Sequence, residues 1–98
     1  MINKKQTTLE ILKNLDPFLS EKYGITKIGV FGSVARDEAN EKSDIDIVYE
    51  IEKPNLFTAV HLKHELEKAF NSSVGLVRYR KTLNPYLKEK IESEGIYV

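Results

Sequence analysis

Two short motifs separated by a polar spacer constrain the fold of this chain more than any other feature. Residues 28–33 read Ile-Gly-Val-Phe-Gly-Ser, and residues 43–49 read Ser-Asp-Ile-Asp-Ile-Val-Tyr. Each apolar run predicts a strand, and the Gly-Ser pair predicts a tight turn into a short helix. The rest of the chain is therefore expected to be organised around a strand, turn, helix, loop and second strand.

The two motifs carry complementary chemistry. Gly32 and Ser33 can present backbone N–H groups to an anion at the start of a helix, where the helix dipole favours negative charge. Asp44 and Asp46 are two residues apart, so both carboxylates lie on one face if this segment is extended. Mg²⁺ prefers oxygen ligands and usually arrives with substrate phosphates. Together the motifs predict a site for a metal–nucleoside triphosphate.

Simpler interpretations exist for each motif taken alone. Gly32-Ser33 could be only a turn, Asp44 a cap at the end of a loop, and Asp46 a solvated strand residue. Reading both motifs with their spacer favours the site. Residues 37–52 hold seven acidic residues against one lysine, and neighbouring like charges are unfavourable unless a positive group joins them.

Length and composition predict one globular domain spanning residues 1–98. Hydrophobic residues make up 41% and charged residues 31%, which is typical of folded rather than disordered chains. A net charge of zero argues against nucleic-acid binding driven by overall charge. Cysteine is absent, and no apolar leader or membrane-length segment is found, so we expect a cytoplasmic protein with no membrane partner.

Hydrophobic periodicity and turn residues predict alternating helices and strands. The fold class expected is α/β (or α+β): a small mixed sheet of three or four strands packed with helices. The predicted elements are a helix over 7–23 interrupted at Pro17 and ended by Gly24, strands at 27–31, 44–51 and 74–79, a short helix at 34–36, and helices starting at 54–55 and 84–85.

Apolar spacing also predicts which side chains are buried. Leu56, Ala59, Leu62 and Leu66 are expected to line the buried face of the third helix, and Tyr86, Leu87 and Ile91 that of the last one. The apolar tail at 96–98 is expected to pack on the sheet or on a partner.

The combined motif resembles the nucleotidyltransferase superfamily with the polymerase-beta-type fold. Phe31-Gly32-Ser33-Val34-Ala35-Arg36 followed by Ser43-Asp44-Ile45-Asp46-Ile47 is similar to the minimal nucleotidyltransferase branch, which includes antitoxins paired with small helical toxins of the HEPN class. The resemblance implies transfer of AMP from ATP to a hydroxyl of such a toxin. It implies that Asp44 and Asp46 hold Mg²⁺, that Gly32 and Ser33 hold the phosphates, and that Arg36 approaches a phosphate or pairs with a carboxylate.

The chain departs from this family at two positions. The third carboxylate that the superfamily carries on its third strand is replaced by Gly75, and Glu50 lies too far along its strand to substitute. Asp37 stands where the family usually has glycine; if that position needs a positive φ, aspartate can adopt it at some cost. Two hypotheses follow: an AMP-transferring enzyme whose site is completed in another way, or an impaired relative that binds a nucleotide or a partner.

Overall fold

Helices and strands alternate along the chain in the computed structural model, which describes residues 3–40 and 42–98. In chain order the elements are α1 (Lys4–Tyr23), β1 (Ile25–Phe31), α2 (Gly32–Ala35), β2 (Ile45–Ile51), α3 (Leu56–Phe70), β3 (Val74–Arg78), α4 (Pro85–Glu94) and β4 (Ile96–Tyr97). Among the residues described, no helix is long and apolar enough to cross a membrane.

The strands form one four-stranded sheet in the order β3-β2-β1-β4. β1 is antiparallel to both β2 and β4, whereas β2 and β3 are parallel, so the predicted mixed sheet is confirmed. The apolar tail at 96–98 packs on the sheet, which was one of the two expected positions. Ile96 pairs with Val30, and the Val98 N–H donates to the Ile28 carbonyl.

The ends of the helices follow the predicted capping chemistry. Asparagine side chains accept backbone N–H groups at the starts of α1, α3 and α4, and Gly24 ends α1 with a φ of 74°. The predicted interruption at Pro17 is wrong, because α1 runs through it. Leu12 and Leu19 are fully buried on either side of Pro17, and this packing holds the helix together despite the missing hydrogen bond.

The two faces of the sheet are covered unequally. The face under α1 and α3 is packed with buried side chains, whereas α4 covers part of the other face through Phe31, Val48, Leu83 and Ile91. The first face contributes Leu12, Leu19, Ile25, Ile28, Val30, Val34, Ala35, Ile45, Ile47, Tyr49, Leu62, Leu66 and Val74 to its cluster. The polar end of the second face is where the sequence motifs meet.

Two predicted core residues lie on the surface instead. Leu56 is 78% exposed, because it is the first residue of α3 and the fully buried side chains of this helix, Leu62 and Leu66, lie nearer its other end. Tyr86 is 77% exposed, because α4 buries Leu87 partly and Ile91 fully, and a residue one position earlier points about 100° away. The predicted burial of Leu62, Leu66 and Ile91 is confirmed.

Candidate functional site

The Asp46 carboxylate lies against the backbone of the Gly-Ser turn. Asp46 is the register partner of Phe31, the last residue of β1, and Gly32 follows directly. Gly32 has a φ of 74°, and a Cβ added there would collide with Asp46 Oδ2. The fold therefore brings together the two sequence motifs, and it leaves no room for a side chain at position 32.

A second glycine flanks the same carboxylate on the other side. Gly75 of β3 is the register partner of Asp46 in the parallel pair. A Cβ added at Gly75 would lie 2.8 Å from Asp46 Oδ1. Any side chain at position 75 would thus start beside this carboxylate, which is where a third acidic residue of the site would be placed.

Asp44 lies just before β2 rather than inside it. The strand starts at Ile45, one residue later than predicted. The next residue, Ile45, donates its N–H to the Ser73 carbonyl at 3.0 Å and fixes the start of the strand beside β3. Asp44 is exposed, and its negative charge acts on Asp46. The two aspartates therefore form one acidic group at the start of β2, an inner strand of the sheet.

The surroundings of Asp46 disfavour its charged form. Partial burial is the main cause that raises the pKa of this carboxyl above its usual range, and the negative charges of Asp44 and Glu94 add to it. Lys90 and Arg36 act in the opposite direction. A cation bound at this position would relieve the excess of negative charge.

The donor set fits magnesium that is carried by a nucleotide. Within residues 3–40 and 42–98, no group of three or more His, Cys, Asp or Glu side chains could hold a metal ion. Asp44 and Asp46 supply two carboxylates, and Mg²⁺ is commonly bound by one or two carboxylates together with substrate phosphates. These residues fit Mg²⁺ with a triphosphate and do not fit a metal held by protein ligands alone.

Arg36 pairs with carboxylates, which is one of its two expected roles. Its Nη1 lies 2.8 Å from Glu94 Oε2 on α4, and its Nε lies 3.4 Å from Glu38 Oε1. Arg36 thus ties the end of α2 to α4. Asp37 follows with a φ of 61°, so the position where the family usually has glycine does adopt a positive φ in this chain.

The loop between α2 and β2 is held by Lys4, the first residue of α1. Lys4 Nζ donates to the Asn40 carbonyl at 3.0 Å and to the Ser43 carbonyl at 2.7 Å. This contact spans almost forty positions of sequence, and no motif in the sequence signals it. It fixes the segment that leads into Asp44.

Two residues of α4 belong to this site although sequence reasoning did not assign them. Lys90 and Glu94 act on Asp46 through their charges, and Glu94 also holds Arg36. The only available signal was helical spacing, which places residues 86, 90 and 93 along one side of a helix. That spacing does not say what the side faces.

The chain matches the polymerase beta nucleotidyltransferase family over residues 13–98. It is 38% identical over 90 residues to a candidate protein adenylyltransferase of Methanocaldococcus jannaschii, covering 91% of this chain and 92% of that one. It is 37% identical over 81 residues to the protein adenylyltransferase MntA of Thermococcus cleftensis, covering 82% and 81% of the two chains.

Solved structures show the same architecture. One, described as a candidate minimal nucleotidyltransferase, superposes with a TM-score of 0.77 at 32% identity and covers 97% of this chain and 95% of that one. Another is an MNT antitoxin in complex with a tri-AMPylated HEPN toxin from Shewanella oneidensis, with a TM-score of 0.59 at 20% identity. It covers 96% of this chain and 67% of the matched chain, and at that identity the likeness supports the fold alone.

Proposed function

This chain belongs to the polymerase beta nucleotidyltransferase family, and from that premise we propose that it transfers AMP from Mg²⁺–ATP to a hydroxyl group of a partner protein. The observation that carries the proposal is the position of Asp46, whose carboxylate lies between Gly32 of the turn and Gly75 of β3. A turn suited to phosphates and a carboxylate suited to Mg²⁺ are in contact. We treat residues 1–98 as one nucleotidyltransferase domain.

Each site residue has a role in this proposal. Asp44 and Asp46 hold Mg²⁺, Gly32 and Ser33 hold the phosphates, and Arg36 stabilises the end of the phosphate-binding turn through Glu94. Bound Mg²⁺ supplies neutralisation of negative charge on the phosphates. The acceptor oxygen forms a bond to the α-phosphorus and releases its hydroxyl proton to solvent. The bond from that phosphorus to the oxygen of the β-phosphate breaks, and pyrophosphate leaves with the electron pair.

The acceptor in this proposal is a small helical toxin of the HEPN class, and the reaction takes place in the cytoplasm. Support comes from the two adenylyltransferase relatives, which are more than a third identical to this chain, and from the fold shared with an antitoxin bound to an AMPylated HEPN toxin. AMP on a toxin residue would neutralise that toxin, so the chain would act as its antitoxin.

The test is transfer of label from α-labelled ATP with Mg²⁺, using a host lysate as acceptor. We expect the natural chain to label a small protein, and a folded Asp46→Asn variant to label nothing. A Gly75→Asp variant restores a carboxylate beside Asp46 and is the matched gain-of-function comparison.

The outcomes separate the two hypotheses about activity. Labelling by the natural chain shows that the site works with glycine at position 75. Labelling by the Gly75→Asp variant alone would overturn enzymatic turnover by the natural chain and leave a nucleotide- or partner-binding protein. Absence of labelling from both, with Mg²⁺–ATP binding also absent, would reject the proposed function.

A further inference from the structure

A polar groove lies between α2 and α4, next to the candidate site. Its volume is about 400 Å³, and its lining consists of Arg36, Tyr86, Glu89, Lys90, Ser93 and Glu94. The α4 members are spaced three and four residues apart, so they form one stripe along the helix beside the stripe that packs on the sheet. The groove therefore begins where the Gly-Ser helix ends and runs along α4.

The two cationic side chains that line this groove, Arg36 and Lys90, differ in whether they are paired with carboxylates. The Arg36 guanidinium is held by Glu94 and Glu38. Lys90 is partly buried as a residue, and its ammonium forms neither an ion pair nor a hydrogen bond with any residue in 3–40 or 42–98. The groove borders the candidate site, because Arg36 directly follows α2 and Gly32 at the start of α2 lies against the Asp46 carboxylate. The charge of Lys90 is therefore available to a ligand that enters the groove beside the site.

We propose that Lys90 binds the triphosphate of the nucleotide, which enters the groove between α2 and α4 with its phosphates toward Asp46. This inference rests on the proposed function and adds α4 to the nucleotide site. An ammonium group is a compact point charge that binds phosphate oxygens through charge-assisted hydrogen bonds. The Arg36–Glu94 bridge is a positioning contact that holds α4 against α2.

A purely structural role for Lys90 makes different predictions. If Lys90 only balanced the negative charge of Asp46 and its neighbours, its removal would change stability and leave the affinity for phosphates unaltered. Stability and affinity must therefore be measured on the same variants.

The experiment compares Lys90→Gln with Lys88→Gln. Lys88 is a matched control because it lies on the same helix, is half-buried like Lys90, and faces the Tyr79 ring instead of the groove. Affinities are measured with Mg²⁺ for two probes, the non-hydrolysable analogue α,β-methylene-ATP and inorganic tripolyphosphate. Thermal melts show that each variant is folded.

We expect Lys90→Gln to weaken both probes by the same factor, about tenfold or more, as when a charge-assisted hydrogen bond is lost. We expect Lys88→Gln to change both by less than about twofold, and Lys90→Arg to recover most of the loss. If Lys90→Gln weakened the binding of the ATP analogue and left the binding of tripolyphosphate unchanged, the triphosphate contact would be overturned. Lys90 would then contact the nucleoside instead. Equal behaviour of Lys90→Gln and Lys88→Gln would overturn the proposal outright.

Failure of this inference is distinguishable from failure of the proposed function. If the natural chain binds both probes and Lys90→Gln binds them equally well, only the role of Lys90 is lost. If the folded natural chain binds neither probe, the nucleotide site itself is rejected, and the role of Lys90 with it.

Discussion

One face of the sheet carries most of the apolar core, whereas the other carries the candidate site. One face is sealed by α1 and α3, of 20 and 15 residues, and its cluster includes fully buried leucines from both helices. The other is covered only in part by α4, a helix of 10 residues. The end left uncovered carries Asp46 between two glycines.

The difference shows how one small sheet can combine an apolar core on one face with a polar candidate site on the other. Apolar burial on the sealed face supplies most of the favourable free energy of folding. The open face can then keep a partly buried carboxylate whose ionised form is disfavoured in the absence of a cation. Substitutions on the two faces are therefore expected to separate stability from activity.

The largest effect is expected for Asp46→Asn on the open face. Loss of the carboxylate that we propose to hold Mg²⁺ should reduce the initial rate of AMP transfer by about a hundredfold to a thousandfold, while the protein stays folded. The measurement is transfer of labelled AMP at saturating Mg²⁺. Glu50→Gln on the same strand is the control, and activity of Asp46→Asn within a factor of about three of that control would contradict the division between faces.

The next largest effect is expected for Leu66→Ala on the sealed face. Leu66 is fully buried, so the substitution should lower the free energy of unfolding by about 3 kcal/mol through lost burial and a residual cavity. Urea unfolding measures the change. Leu56→Ala on the same helix is the control, because Leu56 is 78% exposed and should cost less than about 0.5 kcal/mol. Similar losses at both positions would show that the two ends of α3 are equally packed.

A smaller loss is expected for Gly29→Ala, which tests how β4 is attached to the sheet. A Cβ at Gly29 would lie 2.6 Å from the Ile96 carbonyl oxygen, so β4 would have to move. We expect a loss of about 1–3 kcal/mol in thermal or urea unfolding, typical of overpacking. Thr26→Ala, at an exposed position of β1, is the comparison. No difference between the two would mean that β4 shifts without penalty.

Glu94→Gln is expected to have a modest effect, because the Arg36–Glu94 pair is partly exposed. Breaking it should change stability by about 1 kcal/mol or less. Removing this negative charge also removes one of the causes that raise the pKa of Asp46. Chemical-shift titration of Asp46 should therefore show a lower pKa in the variant, and an unchanged or higher pKa would contradict the arrangement of charges.

The smallest effect concerns pH. The pKa of Asp46 is raised above its ordinary value of 3.8, so the folded state binds protons more tightly than the unfolded state. Stability should then fall as pH rises from about 4 through the folded pKa, and Asp46→Asn should be the more stable protein at pH 7. This advantage should vanish near pH 4. If the stability difference between Asp46→Asn and the natural chain grew as pH fell, the pKa of Asp46 could not be raised in the folded state.

Much of the fold follows from local rules that the sequence states directly. Asn84 before Pro85 predicts the start of α4, Gly24 predicts the end of α1, and the polar spacer predicts the loop before β2. The approach of Gly32 to Asp46 was also predictable, since the two motifs flank one short connection and resemble a known family. The start of α1 three residues earlier than predicted is set by the side-chain cap from Asn3.

Other features lay outside those rules. Spacing alone placed Leu56 and Tyr86 in the core, because a helical repeat does not show how far along a helix the packing extends. Pro17 suggested a break that does not occur. Packing of α1 against the sheet keeps the helix continuous, and the local sequence does not show this packing. Lys90 and Glu94 gave no functional signal, since a charged stripe on a helix is usually solvated.

The sequence by itself determined the order of the first seven elements, the end of α1, the starts of α3 and α4, and the residues of the turn and the acidic pair. These depend on backbone conformation and hydrophobic spacing, which act over a few residues. Only the tertiary structure decided that Gly75 lies beside Asp46, that Glu94 holds Arg36, and that Lys90 lines a groove next to the site. The pairing of strands and the docking of α4 set these contacts, and both depend on residues distant in sequence meeting across one sheet.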